Sequence, residues 1–132
     1  MEQINHGIFG NISNTKIPDF YKPGGEPDYR YVVSVFMKFT NADLAKIASI
    51  SIKSVRYEDD RMPPVLKERI REIMNVCEIV FEMMGNDIEK TQLWFRTRNQ
   101  MLGNISPRDM IRYGRYSKLL DILMDIKNGN IA

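Results

Sequence analysis

The side chains that most often carry catalytic or metal chemistry are scarce in this chain of 132 residues, which holds one histidine, His6, and one cysteine, Cys77. A zinc site or a nucleophile–base–orienter triad needs several such groups converging on one point. The hydrolase, protease and zinc-site readings fall on that count. A lone cysteine excludes an internal disulfide. Cys77 falls on the apolar side of a helical pattern, where a small buried hydrophobe is expected rather than a reactive thiol. No glycine-rich phosphate loop follows a strand pattern, so nucleotide binding finds no support in a motif. The expectation is a binding protein, not an enzyme, and no cofactor.

Composition sets the frame for these residues. The length suits one domain or two very small subdomains sharing a core, and such a chain buries enough surface to fold without staples. A formal charge of +2 neither announces nucleic-acid binding nor excludes it, because a local patch matters more than the total. There is no signal-peptide pattern at the N-terminus and no apolar run long enough to span a bilayer, so a soluble cytoplasmic protein is expected.

Residues 1–29 read as an irregular, mobile arm, with Pro18, Pro23, Pro27 and Gly24-Gly25 opposing regular structure. Phe9, Phe20, Tyr21 and Tyr29 are the groups that could fasten it. The apolar run in residues 31–39 is assigned to a first helix from its context. Thr40 then caps a helix that places Leu44, Ile47 and Ala48 on one face. Ser49-Ile50 makes a tight connection, and Ser51 opens a second helix with Ile52 and Val55 facing inward. Ala45 lets the two helices approach, as a helix-turn-helix requires.

Met62-Pro63-Pro64 starts a long amphipathic helix that ends at Gly85-Asn86. Its apolar stripe is Leu66, Ile70, Ile73, Cys77, Val80, Phe81 and Met84, widened by Met74 and Val76. Lys67, Glu68, Arg71, Glu72 and Glu78 are assigned to its solvated face. The next helix carries Ile88, Leu93 and Trp94, the one tryptophan, whose large amphipathic ring can anchor a packing surface. Gly103 offers the positive φ of a turn, and Ser106-Pro107 is a helix start. A short helix ends at Gly114, and a last one bears Leu119, Leu120, Leu123 and Ile126. Lys127 suits its C-terminal dipole and Gly129 caps it. Met37, Met74, Met83, Met101, Met110 and Met124 are expected as core fillers.

Two stretches resemble known proteins. Trp94-Phe95, Asn99, Leu102-Gly103, Pro107 and Gly129 are similar to the C-terminal toxin-binding domain of Xre/MbcA/ParS-type antitoxins. The departures are Arg98, where that family often has proline, and Asn104, where a second glycine is common. Leu44-Ala45, Ser49-Ile50-Ser51 and Ser54-Val55-Arg56-Tyr57-Glu58 resemble the helix-turn-helix of Xre-type repressors, with Ser49 standing where the turn glycine is usual. The likeness covers residues 30–130 and implies an all-α protein. In that picture residues 1–29 form the arm, 30–62 the helix-turn-helix region, and 63–132 the long helix with the toxin-binding domain.

The function implied is that of an antitoxin in a type II toxin–antitoxin system. It would neutralise an NAD-degrading RES-domain toxin by covering its active site, and autoregulate its operon by binding operator DNA. The toxin would be met by Trp94, Asn99, Leu102 and the tail Lys127, Asn128, Gly129, Asn130, Ile131 and Ala132. Lys53, Ser54, Arg56 and Tyr57 are the candidates for DNA, with Glu58, Asp59 and Asp60 crowding the same end. A homodimer is expected, because such proteins span two half-sites. The competing reading is a stand-alone helix-turn-helix regulator without a toxin.

Overall fold

A computed structural model describes residues 13–58 and 60–129. Among these residues the chain is all-α. No strand forms, and only two isolated bridges occur, Tyr21 with Pro27 and Asn99 with Ile105. Five α-helices follow in order: α1 (Asn41–Ala48), α2 (Pro64–Met83), α3 (Ile88–Arg96), α4 (Pro107–Arg112) and α5 (Tyr116–Lys127). Three 3₁₀ turns, at Pro18–Phe20, Ile52–Ser54 and Gln100–Leu102, and one π-helix, Tyr31–Phe36, complete the set.

The frame is α2, with Pro64 opening its first turn, where a missing N–H costs nothing. Its predicted stripe is buried, Leu66, Ile70, Val76 and Cys77 among it, except for half-buried Met84 at its end. The helices α1, α3 and α5 and the π-helix all pack on it. The Cys77 thiol is pushed up by burial first and by neighbouring Glu78 second, so it stays a protonated, unreactive hydrophobe.

Three assignments along this frame change. Residues 13–29 are fastened rather than loose: Ile17, Phe20 and Tyr29 enter the core, and Phe20 meets Phe36 edge to face at 5.0 Å. Glu78 is buried under this segment, not solvated. The Ile17 N–H and the Tyr21 hydroxyl both donate to its Oε2 at 2.9 Å. Of the six methionines assigned to the core, Met37, Met74 and Met110 are buried and Met124 half-buried, while Met83 and Met101 are exposed. Both lie where a helix or turn runs out of neighbours.

The helix over residues 31–36 forms, but as a π-helix, with the Met37 N–H donating to Val32 O. It ends at Phe36, and Lys38, two residues on, takes a left-handed φ of 57°. One continuous cluster of buried side chains runs from Ile17 to Leu123, crossing the boundaries expected at 29/30 and 62/63.

Candidate functional site

Two regions carry the residues singled out for binding. The first begins with α1, which is built as expected. Thr40 and Asp43 form a reciprocal capping box, and Leu44 and Ala48 face the core. Ser49 makes the turn in the left-handed conformation, φ 57° and ψ 47°, its N–H returning to Lys46 O and that of Ile50 to Ala45 O. A serine thus does what a glycine does without strain.

The second helix does not form. Residues 52–54 make a single 3₁₀ turn and the chain is extended by Val55. The Ser51 hydroxyl, expected to cap backbone, meets the Ser54 hydroxyl at 2.9 Å instead. Ile52, expected inside, is 56% exposed, while Val55 is buried as expected. The physical reason lies in the residues: β-branched Ile52 and Val55 and the two serines favour non-helical backbone. The three-residue turn buries no side chain, so it lacks the packed face that stabilises a helix.

The four DNA candidates therefore share no helix face. Lys53 and Arg56 are exposed, and Ser54 is turned to Ser51. Tyr57 is half-buried with the Arg30 guanidinium 4.7 Å above its ring. Burial pushes the Tyr57 phenol up, with Ser34 and Arg30 pulling the other way; the hydroxyl is buried and meets no partner of hydrogen-bond geometry. Its ring packs against the core cluster.

The second region is α3 to α5. Asp87 caps α3 by accepting from the Lys90 N–H. The core anchor is Phe95, 1% exposed, rather than Trp94, which is half-buried and stands edge-on to Phe95 at 5.1 Å. Leu93 is 66% exposed. Asn99 shapes the turn: its Oδ1 accepts from the Met101 N–H, and its own N–H donates to Ile105 O. Leu102 is buried behind it and Gly103 adopts φ 78°, a conformation that strains other residues. Asn104, at φ 69°, adopts the positive φ as well.

Ser106 then caps α4, its hydroxyl oxygen accepting from the Asp109 N–H, with Pro107 at the first helical position. On α5, Leu119 and Leu123 are the buried pair, with Leu120 half-buried. Lys127 and Asn128 are exposed, and Gly129 closes the helix at φ 73°. Asn130, Ile131 and Ala132 lie outside the described residues, as does His6.

Two arginines that the sequence reading gave no site role join these regions. Arg108 donates from Nε to Met37 O at 2.6 Å and from Nη2 to Lys38 O at 2.8 Å. Its guanidinium lies 4.9 Å over the Phe39 ring, and Arg96 donates to Phe36 O at 3.4 Å. Both arginines cap the carbonyl end of the π-helix. Surface charges at turns carry no signature of such long-range bonds. Among the described residues there is no group of three or more potential metal ligands, and no helix is long and apolar enough to cross a membrane. Comparison with protein-family models, curated proteins and solved structures finds no match.

Proposed function

We propose that this chain is an antitoxin that neutralises a partner enzyme, a toxin of the NAD-degrading RES class, by docking its C-terminal helices over the toxin's active site. The observation that carries the reading is the surface of α3 and its following turn. Leu93 and Met101 are exposed and Trp94 is half-buried, all three in the segment whose residues resemble a toxin-binding domain. Large apolar side chains left in water suit the buried centre of an interface. Asn99 and Gly103 shape the turn that follows α3, and Ser106 caps the helix after it.

Operator binding is the weaker half of the reading, since Lys53, Ser54, Arg56 and Tyr57 do not line a recognition helix. The reading rests on the partner.

The test is a pull-down of N-terminally tagged protein from its native cells, with co-purifying chains identified. A stoichiometric partner that depletes NAD when expressed alone supports the proposal. Leu93→Asp should then abolish capture with an unchanged melting temperature, because the side chain leaves no core. Removal of Lys127 onward should weaken neutralisation. A bait that returns alone, or with DNA only, sinks the toxin-neutralising reading in favour of a stand-alone regulator.

A further inference from the structure

The carbonyl end of the π-helix, the end of α3 and the start of α4 enclose an open cavity of about 350 Å³ lined by Lys38, Arg96, Ser106, Arg108 and Asp109. Its charges do not balance. Arg108 and Arg96 spend hydrogen-bond donors on the carbonyls of Phe36, Met37 and Lys38, but neutral carbonyls leave their formal charge in place. The single carboxylate, Asp109, sits 3.0 Å from Arg112 Nη2 and only 4.0 Å from Arg108 Nη1, so Arg112 takes most of its charge. Lys38, Arg96 and the Nη1 edge of Arg108 thus face one hollow with a surplus of positive charge.

Lys38 adds an independent observation. It is a non-glycine residue at φ 57°, held there by the two hydrogen bonds that Arg108 makes to the carbonyls around it. Glycine would occupy that backbone without strain. Strain kept in place by its surroundings points from geometry to function, and Lys38, exposed and lining the hollow, brings it a positive charge that glycine would not.

We propose that this pocket binds a phosphate group, with Lys38 and Arg96 as the main ligands and Arg108 as the fixed positive floor. A phosphate fits the volume, matches the forked donors of arginine, and carries the charge the pocket lacks. The proposal does not depend on a toxin partner. The phosphate source is a nucleotide or a nucleic-acid backbone.

The experiment is titration of the ¹⁵N-labelled full chain with millimolar inorganic phosphate, followed by amide shifts. Saturable shifts centred on Lys38, Arg96, Ser106 and Arg108 are expected. Lys38→Gln with Arg96→Gln should weaken binding about tenfold or more, since two charge-assisted contacts go. Lys38→Gly should melt higher by about 3 °C as strain is released, and bind phosphate more weakly. Shifts scattered over the surface, or an affinity that the double variant leaves intact, overturn the proposal. So does a Lys38→Gly chain that melts lower and binds phosphate as the parent does. Parallel titrations with ADP and with a duplex of arbitrary sequence separate the sources. A duplex that binds tighter and loses about 0.9 of salt slope for each cation removed identifies a nucleic-acid backbone; ADP as the tighter ligand identifies a nucleotide.

Discussion

Trp94 and Phe95 are adjacent aromatics with opposite jobs, and the difference decides how the binding face can be tested. Phe95 is buried against Phe36, with ring centroids 6.4 Å apart, whereas Trp94 covers it from the side. Phe95→Ala should cost about 3–5 kcal/mol in denaturant unfolding, the range for emptying a core aromatic site. Trp94→Ala should cost on the order of 1–2 kcal/mol, since a half-exposed ring has less apolar area to lose. A Trp94 variant that stays folded can report on partner binding; a Phe95 variant cannot.

Glu78 offers a pH test at the same scale. Burial pushes its carboxyl above the ordinary 4.5, against the opposing pull of the Ile17 N–H, the Tyr21 hydroxyl and Lys16. The native state therefore holds its proton to higher pH than the unfolded chain does. Glu78 contributes most below the ordinary carboxylate range, and that contribution is lost as pH rises from about 4.5 through the raised value. Glutamine keeps an acceptor for both donors without the charge. The stability of Glu78→Gln relative to the parent should accordingly climb with pH across that window in thermal melts. Glu78→Ala, leaving the Ile17 N–H and the Tyr21 hydroxyl without this acceptor, should lose about 1–3 kcal/mol at low pH and less as pH rises through the same window.

At the scale of elements, the turn after α1 is the most informative. Ser49 in the left-handed region costs roughly 1–2 kcal/mol, of which glycine would give part back by its looser unfolded chain. Ser49→Gly should stabilise by about 0.5–1 kcal/mol in chemical denaturation. A loss instead would mean that the serine hydroxyl supports the turn. Elements whose signal is local were legible in the sequence. The apolar stripe of α2, the Thr40 and Ser106 caps, and the glycine turns at 103, 114 and 129 all stand where residue type placed them. The stretch after Ser49 was not. Its apolar spacing suits a second helix, but its β-branched residues and serines oppose one, and a short helix then survives only if something packs on it, which depends on the distant fold. The Arg108 and Glu78 contacts were invisible for the same reason, with partners 57 to 71 residues away.

Across the whole molecule these distant contacts decide what can fold alone. The family resemblance implies an arm, a middle and a C-terminal part, but one buried cluster runs through all three. Phe20 of the arm packs on Phe36 of the π-helix, and Phe36 on Phe95 of α3, a row of rings that joins all three stretches. Glu78 and the Arg108 clamp stitch the same stretches with polar bonds. Residues 63–132 alone would expose the faces of Leu66, Ile70, Ile73 and Phe95 that the first 62 residues contribute to covering. Shared cores unfold as units. The full chain should accordingly melt in a single transition by calorimetry, its van't Hoff and calorimetric enthalpies equal, and residues 63–132 should show collapsed amide dispersion in NMR. Two separable transitions, or a well-dispersed 63–132 fragment, would mean that the C-terminal part carries its own core. The toxin-docking face could then be studied on that fragment; under the shared core, it exists only in the intact protein.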